Sequence, residues 1–452
     1  MAEGKGTPLA DFIKSYAAEG TARFHMPGHK GASLLGCERE DITEIPGADS
    51  LYEAGGVIRR SEERASRLFG TGDTLFSAEG SSQCIRAMVY LACLSGRRKG
   101  SRPVFIAARN AHKAFISAAA LMDIDVEWLW PESPESGICG CRFDTGQLES
   151  LLERVPDAAA VYITSPDYLG GCQDIPAIAA AAHRRGVPLL VDNAHGAYMA
   201  FLAQPRHPIR DGADMCCDSA HKTLSALTGG AYLHIAASAP EIFFKRARRA
   251  MELFGSTSPS YLILKSLDLA NAVMEDGFTE KLELAAVRLG SIKSHLEALG
   301  WQTAGDEPLK LTLKPGSMGW SGNHLAARLA DRGVVCEYSD RDHTVFMASP
   351  FNTPEDFSRL ESALLDVERR EPIPELLLPI TSKRRAMSIR EAVMGKAIDT
   401  AVQDSPGRTA AFISASCPPA ILPVTPGEII DREAAELIRY CGIERVSVVE
   451  EY

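Results

Sequence analysis

The chain has 452 residues, 45% hydrophobic and 24% charged, a composition that excludes disordered and fibrous classes and leaves room for two or three domains. With 48 basic against 59 acidic residues the formal charge is -11, which argues against nucleic acid and anionic lipid as partners and mildly favours a cationic ligand. No run approaches the ~18 apolar residues that span a bilayer, and the start lacks the apolar core of a signal peptide, so the expected setting is the cytoplasm.

In chain order, Thr7-Pro8 places a hydroxyl cap and a proline at the head of a helix over Leu9 to Ala18, stopped by Gly20. From His25 to Gly56, Gly, Pro, Asp and Glu break any periodicity and predict an irregular arm over a site or a subunit boundary. His25 and His29 are four apart, but Pro27-Gly28 disfavours the helix that would align them for a metal. A second helix is expected over Ser61 to Leu68. Leu75 to Glu79 then feeds Gly80-Ser81-Ser82, with Ile85, Met88, Val89 and Ala92 at helical spacing behind it. Hydroxyls and free N–H groups at a helix N-terminus make an anion site, so Gly80, Ser81 and Ser82 are the candidate phosphate cradle. A plain serine cap gives the same pattern.

A regular alternation follows. Strand Pro103 to Ala107, helix Ala114 to Met122, strand Val126 to Trp130, helix Thr145 to Val155, strand Ala159 to Thr164, helix Ile175 to Arg184 and the strand from Val187 to Asp192 take turns. Such alternation predicts an α/β fold, a mostly parallel sheet with helices on both faces. Ligands in these sheets sit beyond the carboxyl ends of the strands, which is where Arg109-Asn110-Ala111-His112-Lys113, the Ser165 to Gly171 loop and Asp192-Asn193-Ala194-His195-Gly196 fall. Taken alone, Asp192 reads as a strand-end turn or helix cap rather than a ligand. The eleven cysteines lack the spacing of a zinc site; Cys139-Gly140-Cys141 and Cys216-Cys217 are the close pairs, and free, mostly buried thiols are expected.

Lys222 stands in Asp218-Ser219-Ala220-His221-Lys222-Thr223-Leu224, between the apolar segment Ala213 to Cys217 and the apolar run Ala231 to Ala236. Most lysines are solvated. One between two buried strands suits a Schiff-base role, because burial lowers its pKa and frees a neutral amine. An aspartate and then a lysine at successive strand ends point to pyridoxal phosphate, the carboxylate holding the pyridine nitrogen protonated and the amine carrying the aldehyde.

These stretches, with Phe24 to Gly31, Asp41-Ile42-Thr43-Glu44, Gly47-Ala48-Asp49 and Ser256 to Tyr261, resemble the ornithine/lysine/arginine decarboxylase family in order over the first 270 residues. The resemblance is to the family's short form, in which no N-terminal wing domain is expected. The resemblance implies fold type I, the aspartate-aminotransferase-like fold of pyridoxal-phosphate enzymes, divided as residues 1–60 (helix and arm), 61–270 (cofactor domain), 271–370 (small α/β domain) and 371–452 (C-terminal α+β domain). It implies decarboxylation of a basic amino acid in a homodimer with shared sites, with assembly beyond the dimer left open. It makes His112 the ring stacked on the pyridine; beside that, Ala194 is small enough to lie flat beneath a ring, and His195 is placed to reach the phenolic oxygen or the substrate carboxylate. Ser219 goes to phosphate or to orienting His221, and His221 or Lys222 returns the proton to the α-carbon. Beyond Tyr261 a long helical stretch to about Leu299 is expected, then strands Leu309 to Leu313 and Thr344 to Ala348 with helices Gly322 to Asp331 and Pro354 to Val367, and a linker at Glu371 to Pro374.

The tail departs from the family. Phe412 stands where a glutamate is usual, Cys417-Pro418-Pro419-Ala420 replaces Tyr-Pro-Pro-Gly, and Asn193 and Gly229 replace a glutamate and a glutamine; Pro426-Gly427-Glu428 is kept. Transamination on the same fold, and a cofactor-binding homologue with lost or altered activity, are the alternatives these changes leave open.

Overall fold

The computed structural model describes residues 6–95, 101–132, 140–374, 382–412 and 421–450. Helix α1 (Pro8–Ala18) opens on proline, where a missing N–H costs nothing, and the next two N–H groups, of Leu9 and Ala10, donate to the buried Asp268 carboxylate at 2.9 Å. Between Glu19 and Gly56 the chain is irregular except for one 3₁₀ turn at Leu51–Glu53, as its composition predicts. Helix α2 (Val57–Phe69) starts four residues before the expected Ser61. The cause is remote: Asp49 Oδ2 takes the N–H groups of Gly56 and Ile58 at 2.7 and 3.1 Å, capping the first turn from outside it.

The alternating elements follow as β1 (Asp73–Ser77), α3 (Ser81–Ser95), β2 (Val104–Ala108), α4 (Lys113–Met122), β3 (Asp125–Leu129), α5 (Thr145–Arg154), β4 (Ala160–Thr164), α6 (Ile175–Arg184), β5 (Leu189–Asp192), β6 (Met215–Asp218), α7 (Ala220–Thr223) and β7 (Ala231–Ile235). They build one seven-stranded, mostly parallel sheet in the order β1-β7-β6-β5-β4-β2-β3. Every residue of β4 to β7 is buried, so these strands read as apolar runs without alternation. β5 and β6 are parallel, while β7 runs antiparallel to both β6 and β1. The link before β7 holds only the one-turn helix α7, too little for a crossover.

Helix α8 (Glu241–Leu253), which the alternation did not predict, buries Phe243, Ala247, Ala250 and Met251 at helical spacing. The long helix expected from Tyr261 is two, α9 (Tyr261–Glu275) and α10 (Phe278–Ala298). Gly277, at φ +63°, turns the chain between them. A four-stranded antiparallel sheet follows in the order β10-β11-β9-β8, from β8 (Gln302–Ala304), β9 (Lys310–Lys314), β10 (Tyr338–Ser339) and β11 (Thr344–Met347), with helices α11 (Gly322–Ala330) and α12 (Pro354–Leu365). The tail adds α13 (Ile389–Met394), α14 (Arg432–Tyr440) and the antiparallel pair β12 (Ala397–Ala401) and β13 (Arg445–Val449) over a core that includes Val402, Ile430, Ile438 and Val448. Among the described residues no helix is long and apolar enough to cross a membrane, and the nine described cysteines are free. Cys139 lies outside them.

The chain packs as two compact units, residues 1–106, 149–163 and 174–279 in one, and 107–148, 164–173 and 280–452 in the other. The second unit holds a buried cluster of two carboxylates and one ammonium. Lys310 Nζ is 2.9 Å from Glu307 Oε2 and 3.3 Å from the Asp167 carbonyl, and Asp167 Oδ1 takes the N–H groups of Leu169 and Gly171 at 3.0 and 2.8 Å. Burial pushes the Asp167 carboxyl up to about 6 from 3.8, although those N–H groups and Lys310 favour the anion. The folded chain thus binds this proton more tightly than the unfolded one. The resulting stabilisation is complete below pH 3.8 and is lost as pH rises through about 6. In urea titrations between pH 4 and 7, Asp167→Asn is expected to flatten this slope by up to about 3 kcal/mol; an unchanged slope would refute it.

Candidate functional site

Apart from His112, the first unit gathers the candidate site residues around the ends of β5 and β6. These strands are parallel, with Asp192 opposite Cys217, so their carboxyl ends emerge together. Asp192 is buried; its Oδ2 accepts from Tyr162 Oη at 3.3 Å and its Oδ1 from the Ala194 N–H at 3.1 Å. Burial, and then Asp192 itself, push the Tyr162 phenol well up, so it remains a donor. Ala194 is buried at the turn after Asp192.

Two steps beyond β6 comes α7, whose single turn carries His221 and Lys222. Lys222 Nζ lies 3.0 Å from His195 Nε2, and His195 is buried. His221 Nδ1 is 3.0 Å from the Gly230 carbonyl. A carbonyl can only accept, so Nδ1 carries the proton and Nε2 is the basic nitrogen of the neutral ring. Ser219 Oγ donates to Ser81 Oγ at 2.8 Å, joining the lysine loop to the first residue of α3. Gly80, at φ +70°, makes the turn into α3, and its N–H donates to the Gly229 carbonyl at 2.7 Å. Buried Ser81 and half-buried Ser82 thus stand at the positive end of a four-turn helix.

Beneath the lysine loop lies a network that the sequence reading missed. Asp218, the last residue of β6, is wholly buried. Its Oδ1 accepts from Asn193 Nδ2 at 2.7 Å, while His207 Nε2 and His234 Nε2 stand 3.1 and 3.3 Å from its Oδ2. His234 Nδ1 in turn meets Thr74 Oγ1 at 2.9 Å. Burial would raise the Asp218 carboxyl, but the two imidazoles override it and hold it well below the ordinary range. Cys216 Sγ sits 3.9 Å from His207 Nε2, which brings three possible metal-ligating atoms within 4.8 Å of one another. Burial, with Asp218 next, pushes that thiol well up, so it stays protonated and a poor ligand. The signal was legible: a histidine inside the apolar run Ala231 to Ala236 needs a buried polar partner, and Asp218 closes the neighbouring strand.

His112 belongs to the second unit, where it caps α4 by accepting the Ala114 N–H on Nδ1 at 3.2 Å. Phe412 is half exposed, with an aromatic ring where the family resemblance leads one to expect a carboxylate; Cys417 to Ala420 lie outside the described residues.

Comparison with known proteins gives a consistent picture. The pattern of the Orn/Lys/Arg decarboxylase major domain matches residues 7–298. An uncharacterized protein of Bacillus subtilis (strain 168), YaaO, is 30% identical over 361 residues, covering 75% of this chain and 73% of its own. The arginine decarboxylase of the same strain is 29% identical over 460 residues, covering 94% of this chain and 92% of its own. Among solved structures, the constitutive lysine decarboxylase of E. coli superposes with a TM-score of 0.79 at 19% identity, over 99% of this chain and 82% of that one.

Replacing the Asp218 carboxylate by an amide leaves two buried imidazoles facing a neutral group. Asp218→Asn is expected to cost about 3 kcal/mol in chemical denaturation. Hydrogen exchange of residues 219–224 should quicken with it; full protection there would show that the network does not hold the loop.

Proposed function

The chain belongs to the ornithine/lysine/arginine decarboxylase family, and from that premise we propose that it removes the α-carboxylate of a basic amino acid using pyridoxal phosphate attached to Lys222. The observation that carries this reading is the meeting, in one unit, of an amine, a strand-end carboxylate and a hydroxyl-lined helix N-terminus. These are the donors such a cofactor requires, and they fit it. Lys222 would hold the aldehyde carbon, Asp192 the pyridine nitrogen, and Gly80, Ser81, Ser82 and Ser219 the phosphate. Ala194 would lie beneath the ring, while a stacking role for His112, in the second unit, rests on the family resemblance alone. When bound, the cofactor supplies a sink for the electron pair left as carbon dioxide departs.

The chain's own residues do the rest. Asp192 is held at the strand end by the Tyr162 phenol and the Ala194 N–H that donate to its two oxygens. The 3.0 Å contact between Lys222 and His195 gives the ε-amine a partner for proton exchange. His221, whose basic nitrogen is Nε2, and Lys222 are the two acids able to protonate the α-carbon. The near-full-length relative named for arginine puts arginine first among substrates, and the acidic net charge agrees with a cationic one. Phe412 favours a second reading, in which the substrate lacks a basic terminus.

The irregular arm supports a homodimer. Phe24, Leu34 and Leu35 are 97%, 83% and 87% exposed on the single chain. The turn that presents the two leucines is held by Glu38, whose Oε1 accepts the Leu34 N–H at 2.7 Å and also that of Leu35. Desolvation pushes the Glu38 carboxyl up, but the N–H groups gathered on it prevail and lower it to about 2. The arm is therefore set while its apolar side chains await a second copy.

Two measurements test this. Borohydride reduction of the protein loaded with pyridoxal phosphate should place a cofactor-sized mass adduct on Lys222, and Lys222→Ala should lose both adduct and turnover; surviving turnover would remove the assignment. Incubation with arginine, lysine, ornithine and apolar amino acids should release an amine and carbon dioxide from a basic one. Release of an oxo acid would point to transamination, and turnover of apolar substrates alone would favour the second reading.

A further inference from the structure

Directly behind the Gly80-Ser81-Ser82 turn, the third residue of α3 is a wholly buried amide, Gln83. Both its polar atoms are engaged. Its Oε1 accepts from Ser77 Oγ at 2.5 Å, and its Nε2 donates to the Met251 carbonyl at 2.8 Å and to Tyr52 Oη at 3.0 Å. Ser77 ends β1, Met251 lies in α8 and Tyr52 in the 3₁₀ turn at Leu51–Glu53. One side chain thus ties the start of α3 to three separate segments of the first unit. The chain also closes over it at Gly255, where a side chain would begin 2.2 Å from Gln83 Nε2 and 2.0 Å from Tyr52 Oη, so only glycine fits without displacing that pair.

This amide has one orientation. Turned over, it would set its oxygen against the Met251 carbonyl, acceptor facing acceptor. An apolar residue would fill the same space with no polar group to desolvate, so what the amide adds is a fixed geometry. That geometry passes to the anion site through Ser77. The same hydroxyl oxygen accepts the Glu79 N–H at 3.1 Å and lies 3.1 Å from the Gly80 carbonyl. The three-residue turn Ala78-Glu79-Gly80, which aims the first turn of α3, therefore hangs on the hydroxyl that Gln83 holds. Hydrogen bonds to an anion weaken steeply when their donors point off line, so the direction of this turn matters to whatever anion it grips.

We propose that Gln83 is a positioning residue for the phosphate cradle: through Ser77 it fixes the turn into α3, and so the direction in which Gly80, Ser81 and Ser82 face the cofactor's phosphate. The inference deepens the functional reading given above and rests on it. It gives a buried side chain with no role in the chemistry a part in holding one end of the cofactor.

The test compares three ligands on the full chain freed of cofactor: pyridoxal phosphate, pyridoxal, which carries no phosphate, and inorganic phosphate. Gln83→Met keeps roughly the size of the side chain and removes its three hydrogen bonds. It should weaken equilibrium binding of pyridoxal phosphate and of inorganic phosphate about tenfold each, the loss of one hydrogen bond to a charged group, and leave pyridoxal within about twofold of wild type. Equal weakening of pyridoxal phosphate and pyridoxal would mark a general effect on the fold and overturn the proposal, as would unchanged affinity for pyridoxal phosphate. Should Gln83→Met not fold, Tyr52→Phe takes one acceptor from the amide and leaves the rest of the network in place. It is expected to weaken pyridoxal phosphate about threefold and pyridoxal not at all, and any other pattern would again overturn the proposal. Failure of the wild-type chain to bind pyridoxal phosphate, with inorganic phosphate still bound and still sensitive to Gln83→Met, would instead bring down the functional reading.

Discussion

A carboxylate with no access to water organises the end of the sheet where the lysine sits. Asp218 remains ionised in the core because two imidazoles and an amide surround it, and each of these comes from a different stretch of chain. Asn193 follows β5, His207 lies in the link to β6, and His234 lies within β7. The charge therefore ties three neighbouring segments at one point, immediately before the hydroxyl of Ser219 and the amine of Lys222. Asn193, which departs from the family pattern, supplies the amide.

The site is built from strand ends because that is where a parallel sheet leaves its polar ends unsatisfied. Asp192 terminates one strand, Asp218 the next, and Ser81 opens a helix whose first N–H groups have no acceptor within it. The Ser219–Ser81 bond joins the last two. Chemistry that needs an anion site, a carboxylate and an amine in fixed relation finds all three on rigid elements and none on a free loop.

Much of this could be read from the residues. The alternation from Pro103 to Asp192 was plain because buried parallel strands are apolar along their whole length and amphipathic helices separate them. Lys222, Asp192 and the Gly80-Ser81-Ser82 turn stood out because each breaks such a pattern at its end. What escaped depended on partners far away in sequence. Asp49 moves the start of α2 by four residues, and nothing near Val57 announces it. The single glycine that splits the long helical stretch is weak in any window. Helix α8 breaks the expected alternation, and Glu428 shows its partner only once Arg109 is seen beside it.

The two compact units are not consecutive lengths of chain. Residues 107–148 and 164–173 leave the ribosome early, yet the unit they belong to is completed only by residues 280–452. Arg109 is made more than three hundred positions before its counter-ion Glu428. During synthesis it has to wait, solvated or chaperoned, until the end of the chain emerges. A fragment that stops where the match to the family's major domain ends, at residue 298, would leave this guanidinium without its carboxylate. Translation must reach the tail before that unit can close.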